Sequence, residues 1–342
     1  MYKPNPIKAS GNDRTNLKFI DLFCGIGGFH LAADLVGKDR HFDMECVMAS
    51  DIDMACQRAY EANFGITPLG DICQISSEQV PDHDLLFAGF PCQPFSIIGG
   101  MRGFDDTRGT LFFEVARILE SKRPKAFILE NVKMLVGHQQ GRTLGRIMEV
   151  LHEIGYHASY RVLNALDFGV PQKRERVFIV GFKEPASFMW PYGGVPMKPL
   201  REILEFEVDQ KYYASERIRE SRSGWHTKDA EPTIWHENKA GNVSKYPYSC
   251  ALRAGASYNY LLVDGERRLT EREMLRLQGF PDSYMPVGGY GEVRKQAGNS
   301  VAVPAVAAVL SRVLDSLEGE VANSSGPEQL AMVLSPRKPY DS

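Results

Sequence analysis

One thiol is placed for chemistry in the stretch Asp84-Leu-Leu-Phe-Ala-Gly-Phe-Pro-Cys-Gln-Pro-Phe-Ser96. Leu85 to Ala88 is a short apolar run of the kind that forms a buried strand. Gly89 and Pro91 end it, which leaves Cys92 on the loop just beyond. In open α/β sheets that edge is where ligands and reactions gather. A thiol between two prolines is aimed without being buried, as a nucleophile must be; a core thiol is the competing reading. The other cysteines (Cys24, Cys46, Cys56, Cys73, Cys250) are scattered and form no Cys-x-x-Cys pair. That argues against a metal centre or a disulfide framework and fits a reducing cytoplasm.

Other strand ends carry acids and guanidiniums. Asp51 follows the strand Glu45 to Ser50, where a carboxylate can accept hydrogen bonds from ribose hydroxyls; capping the next helix is the alternative, open to Asp51 or Asp53. Gly70-Asp71-Ile72 is a second acid-bearing turn. Glu130 ends the strand Lys125 to Leu129, where desolvation would hold a proton near neutral pH; a salt-bridged structural role is the alternative. Gln172, Arg174 and Arg176 alternate, so an extended backbone projects all three to one face. Such a face suits an anionic or carbonyl-rich ligand, or is a solvated charged edge.

The elements that must hold these groups read as a doubly wound α/β fold. Lys18 to Phe23 is a strand, Cys24-Gly-Ile-Gly-Gly28 a glycine turn, and Phe29 to Val36 a helix. The turn lacks the dinucleotide spacing and the lysine of a phosphate loop. Helices are expected at 53–64, 111–121 and 143–154, and strands at 160–163 and 177–182. Between 97 and 109 four glycines and two arginines (Arg102, Arg108) suggest a mobile lid.

Periodicity fades after Lys183. Between 211 and 253 eight basic residues stand against five acidic ones, mixed with Trp225, Trp235, Tyr246 and Tyr248. Basic and aromatic groups together are what a nucleic-acid surface uses. The whole chain has a net charge of −3, so any such surface must be local. Order returns at Arg268 to Tyr284, where Thr270 and Glu273 form a capping box, and a last apolar helix runs from Val301 to about Leu317. The boundaries expected are 1–183, 184–264, 265–318 and a flexible tail, 319–342. No apolar run approaches membrane length in this reading.

The chain resembles the C5-cytosine DNA methyltransferases of the compact bacterial restriction–modification type. The resemblance rests on Asp21-Leu-Phe-Cys-Gly-Ile-Gly-Gly28, Gly89-Phe-Pro-Cys-Gln-Pro-Phe-Ser96, Glu130-Asn-Val132, Gln172-x-Arg174-x-Arg176, Arg268 to Tyr284 and Gly298-Asn-Ser300, in family order. It implies a Rossmann-like sheet that binds S-adenosylmethionine, with a smaller target-recognition domain inserted at 184–264 before the C-terminal helix. It implies that Cys92, Glu130, Arg174 and Arg176 carry the reaction. Phe23, Gly25, Ile26, Gly27, Asp51, Ile52, Asp71, Ile72, Pro91, Leu111, Asn299 and Ser300 then surround the cofactor, which leaves as S-adenosylhomocysteine. Ser96, Ile98, Arg102, Arg108, Gln172 and Arg253 are assigned to double-stranded DNA, and no metal is implied. Many relatives carry Glu where this chain has Asp51, and Ile98 replaces a small polar lid residue of some relatives.

The same resemblance implies a cytoplasmic monomer acting on duplex DNA, with a cognate restriction endonuclease or defence system as partner and no membrane. Three rivals are weighed against it. A small-molecule pyrimidine methylase would not need the basic, aromatic middle segment. The tRNA-methylating branch carries a Cys-Phe-Thr signature that this sequence lacks. A DNA-binding regulator descended from an enzyme would be expected to have lost Cys92 or Glu130.

Overall fold

The computed structural model describes residues 15–91 and 111–319. The expected lid at 97–109 lies outside them, as do the expected loose leader (1–16) up to residue 14 and the expected tail (319–342) beyond Gly319. In chain order the elements are β1 (Thr15–Leu22), α1 (Gly28–Arg40), β2 (Phe42–Ser50), α2 (Met54–Phe64), β3 (Leu85–Ala88), α3 (Leu111–Lys122) and β4 (Ala126–Val132). There follow α4 (Met134–Gly137), α5 (Arg142–Glu153), β5 (His157–Asn164), β6 (Gln172–Lys173), β7 (Glu175–Phe182), α6 (Leu200–Ile203) and α7 (Glu216–Ser223). The last are β8 (Ile234–Glu237), β9 (Val243–Tyr246), β10 (Ser249–Cys250), β11 (Leu261–Val263), α8 (Glu271–Leu277), α9 (Tyr290–Asn299) and α10 (Val303–Leu317).

Six strands form one sheet in the order β2-β1-β3-β4-β7-β5. The first four run parallel, and β7 lies antiparallel between β4 and β5. Parallel strands are buried on both faces, which is why β3 reads as an unbroken apolar run and every residue of it is buried. One face packs on α1, α2 and α10 through Ala32, Val36, Ala59, Val306 and Val309. The other packs on α3 and α5 through Val115, Leu119, Ile147 and Leu151. The C-terminal helix is locked to the start of the chain by Arg40, whose guanidinium lies 2.5 Å from Asp315 and 2.7 Å from Glu318.

After β7 the chain leaves this sheet. It builds a small antiparallel sheet, β11-β8-β9, and a two-stranded parallel ladder of β10 on β6. Ile234, Leu252, Leu261 and Val263 of the inserted segment share a core with Met274, Leu277 and Ala297 of α8 and α9. The insert is therefore packed on the returning chain, not hung from it. Among the described residues, one helical stretch, Tyr290–Leu317, is apolar and long enough by composition to cross a membrane. That corrects the expectation of no such run. The stretch is α9 and α10 with a break at Ser300, and it is mostly buried in the core.

The capping box predicted at Thr270 is present, and Glu273 does more than cap. Its fully buried carboxylate receives both guanidinium nitrogens of Arg267 at 2.8 Å, and the Glu205 amide at 2.8 Å. Removing one partner of a buried pair strands the other charge. Glu273→Ala is therefore expected to cost about 3–5 kcal/mol of stability, read from urea unfolding.

Candidate active site

The site is a cavity of about 940 Å³ at the carboxyl ends of β1 to β4. Phe23, Gly25, Asp51, Ile52, Asp71, Ile72, Pro91, Leu111 and Asn299 line it, as expected of the cofactor-facing residues, together with Glu130, Arg174 and Arg176. Ile26, Gly27 and Ser300 do not line it. Ile26 and Ser300 are buried, and Gly27 caps α1. Cys92, Ser96, Ile98, Arg102 and Arg108 lie outside the described residues.

The glycine turn is shaped by backbone conformation. Phe23, Gly25 and Gly27 all have positive φ, and a Cβ on Gly27 would sit 2.2 Å from the Phe64 ring. This turn brings the Gly25 amide to Asp51, whose Oδ2 accepts from it at 2.8 Å while Oδ1 accepts from the Asp53 amide at 2.8 Å. Burial nevertheless pushes the Asp51 carboxyl up, and those two amides pull it back. The capping alternative belongs to Asp53, whose side chain accepts from the Ala55 amide at the start of α2. Asp53 also meets Lys295 of α9 at 2.7 Å across the cavity. Ile52 is 72% exposed there, an apolar side chain held in the open beside an acid.

At the other end, antiparallel pairing of β4 and β7 sets Val132 opposite Arg176. Glu130, two residues back on β4, therefore shares a face with Arg176 and is its diagonal neighbour. Arg176 Nε lies 3.0 Å from Glu130 Oε1. Burial raises the Glu130 carboxyl above its ordinary range, and the charges of Arg176 and Arg174 pull it down in part. Asn131 turns its amide the other way and donates to the Phe90 carbonyl at 2.9 Å. That bond ties the loop leading to Pro91 onto the strand that carries Glu130. The role of Asn131 escaped the sequence reading, although it stands in the middle of Glu130-Asn-Val.

The expectation that Gln172, Arg174 and Arg176 share one ligand-facing strip is corrected. The strand breaks at Arg174: Gln172 belongs to β6 and pairs with β10, whereas Arg176 belongs to β7. Gln172 is fully buried, its amide bonded to Leu277 O (2.9 Å), Gln278 Oε1 (3.2 Å) and the Leu252 N–H (3.0 Å). It offers nothing to a duplex. Arg174 is also buried, with its bonds going to main-chain carbonyls. Arg253 is exposed on the insert, stacked over Tyr260 at 4.9 Å. Of the other basic residues there, Arg222 is buried on Glu237 (2.6 Å), Lys228 pairs with Glu266 (2.7 Å) and Lys245 with Asp229 (2.8 Å). Asp21, to which the sequence reading gave no role, is fully buried on β1, its carboxyl pushed well up by burial and by the charge of Asp51.

The five described thiols are poor nucleophiles. Burial pushes Cys46 and Cys56 up to about 12, raises Cys24 and Cys250, and with Asp71 raises the exposed Cys73 to about 11. Since only the thiolate reacts, all five are expected to label slowly with iodoacetamide at pH 7.5. Peptide mapping of the labelled protein checks this. Fast labelling at any of the five would misplace the reactive thiol.

The family model described as C-5 cytosine-specific DNA methylase matches residues 17–315. The chain is 53% identical over 295 residues to the Type II methyltransferase M.NgoBI of Neisseria gonorrhoeae, covering 85% of this chain and 91% of that protein. It is 51% identical over 303 residues to the Type II methyltransferase M.HaeII of Haemophilus aegyptius, covering 88% and 93%. Among solved structures, the S. pombe Dnmt2 methyltransferase superposes with a TM-score of 0.67 at 22% identity, covering 87% of this chain and 98% of that one. That likeness concerns the fold.

Proposed function

We propose a complete reaction for this chain, which belongs to the C-5 cytosine-specific DNA methylases and is a DNA (cytosine-5)-methyltransferase. The observation that carries the proposal is the convergence, on one cavity, of the buried Glu130–Arg176 pair and the Pro91 loop, with Asp51 at the opposite end. The cavity fits S-adenosylmethionine: Asp51 offers a carboxylate to ribose hydroxyls, and the uncovered face of Ile52 suits an adenine ring. Bound there, S-adenosylmethionine supplies the methyl group that an activated cytosine C5 takes up, and leaves as S-adenosylhomocysteine.

The residues of the chain do the activating. Cytosine C5 is a poor nucleophile while the ring is aromatic. The Cys92 thiolate adds to C6, and Glu130, whose carboxyl burial raises above its ordinary range, gives a proton to N3 so that the electrons have somewhere to go. C5 becomes enamine-like. Arg176 stabilises the base and holds Glu130 in place. A water-borne base then takes the C5 proton, the C5–C6 double bond re-forms with departure of the Cys92 thiolate, and N3 returns its proton to Glu130. Because C6 is shielded inside a duplex, the base must be turned out of the helix.

The inserted segment, 184–264, is the target-recognition domain in this reading, with Arg253 on its exposed side. Ser96, Ile98, Arg102 and Arg108 are assigned to the duplex by their place in the sequence alone. The Type II names of the relatives support a cognate restriction endonuclease acting on the same site. We read the enzyme as a cytoplasmic monomer. The test is methyl transfer from radiolabelled S-adenosylmethionine to a duplex library, followed by bisulfite sequencing. Label on C5 at one short sequence is expected. Label on RNA or free nucleosides instead would favour the rivals.

Cys92→Ser is expected to abolish turnover while leaving duplex binding in place. Glu130→Gln is expected to slow methyl transfer by roughly 10²–10⁴, measured in single turnover. A wild-type rate in Cys92→Ala would end the mechanism. The sign of the pH effect follows from Arg176, whose positive charge favours the Glu130 carboxylate and so lowers its pKa. Activity falls on the alkaline side as Glu130 loses its proton. Arg176→Met is expected to move that limb to higher pH, besides lowering the rate.

A further inference from the structure

Arg174 presents a physical problem. Its guanidinium is buried, and every hydrogen bond it makes goes to a main-chain carbonyl: Leu252 O at 3.3 Å, Gly298 O at 3.3 Å from both terminal nitrogens, and Ser300 O. A charge kept in the interior on carbonyl dipoles is costly unless the site needs the fork. Those carbonyls come from two places, the inserted segment and the α9–α10 junction. Gln172 repeats the pattern one step away, accepting from the Leu252 N–H and donating to Leu277 O. Leu252 is thus gripped on both main-chain polar groups by two side chains of the 172–174 stretch.

The residues after Leu252 are gripped as well. A Cβ on Gly298 would sit 2.5 Å from the Ala254 nitrogen, so the loop lies directly on α9. The Arg253 amide donates to Tyr260 Oη at 2.9 Å, and Arg294 of α9 donates to Ala256 O at 2.7 Å. The gripped loop exposes the Arg253 side chain. On the other side, Arg174 stands two residues before Arg176, which meets Glu130. A rigid path therefore joins an exposed residue of the insert to the pair that faces the base.

We propose that Gln172 and Arg174 are positioning residues that fix the Leu252–Ala254 loop relative to Glu130 and Arg176, so that target discrimination depends on them. The proposal rests on the reading of the cavity as a cytosine methyltransferase site and goes beyond it. Neither residue touches the duplex; each acts through the loop. A loop held out of register lets an incorrect sequence bring its cytosine to Glu130 almost as well as the correct one.

The experiment uses Arg174→Lys, which keeps the charge and loses the fork, and Gln172→Met, which keeps the volume and loses both Leu252 and Leu277 bonds. The full-length variants and the parent methylate a randomised duplex library, and bisulfite sequencing gives the rate at the preferred site and at sites one base removed. S-adenosylhomocysteine affinity is measured alongside by calorimetry. The expected result is affinity within about threefold of the parent and a drop of about tenfold or more in the preference for the correct site. A residue that only supports the fold, or one that acts on the base, lowers all sites in proportion. A proportional loss in the two variants, or an unchanged preference, overturns the proposal. So does failure of both variants to fold, since the pair would then be a folding element. If the parent itself methylates no cytosine, the functional reading fails instead.

Discussion

Burial of charge at the carboxyl end of β4 and the amino end of β7 is the constraint on which the rest depends. Glu130, Arg174 and Arg176 all stand where water is scarce, so each must be met by the protein. A carboxyl there keeps its proton to higher pH, while two guanidiniums limit the rise. The balance leaves a group that can give a proton and be left as a carboxylate beside a cation. None of this works on a loop. β4 and β7 supply a fixed register, and the helices on both faces of the sheet supply the dry surroundings.

Much of this was legible in the sequence because strand ends announce themselves. Leu85 to Ala88 is apolar throughout and closed by Gly89, so its position and that of the loop after it were fixed by composition. Asp51 follows β2 in the same way, Asp71 comes just after the single bridge of Leu69 to Ser50, and Glu130 lies near the end of β4; all three reach the cavity. Alternation stops being a guide at residues 172–176. Gln172, Arg174 and Arg176 alternate, but the backbone changes sheets at Arg174, and a pattern of period two holds only within one strand. Pairing with β10, which sets Ser249 opposite Gln172 and Cys250 opposite Lys173, decided that, and no local signal reports it.

Helix α9 was missed for a different reason. Gly291 and Gly298 lie inside it and Gly289 caps it, and glycines weaken a helical pattern read from propensity. The glycine at 298 leaves room for the Arg253–Ala254 backbone, which lies against the helix, so a tertiary contact accounts for the residue that hid the helix. The same helix carries Lys295, Gln296 and Asn299 to the cavity. One element thus serves the insert on one side and the cavity on the other, and its sequence is a compromise between the two.

The chain carries a net charge of −3, yet its function is to act on a polyanion. The distribution of charge inside the cavity removes the difficulty. Asp51, Asp53 and Asp71 gather at one end, and Arg174 and Arg176 at the other. Under the proposed function the acids face the cofactor, which brings a cationic sulfonium, and Arg176 faces the base, whose ring gains electron density as the thiolate adds, while Arg174 stays on main-chain carbonyls. Opposite charges at the two ends give each reactant one favourable place, and reversing them would oppose both at once. Attraction for DNA has only to be local, and Arg253 needs to reach a single duplex, not to change the sign of the whole surface.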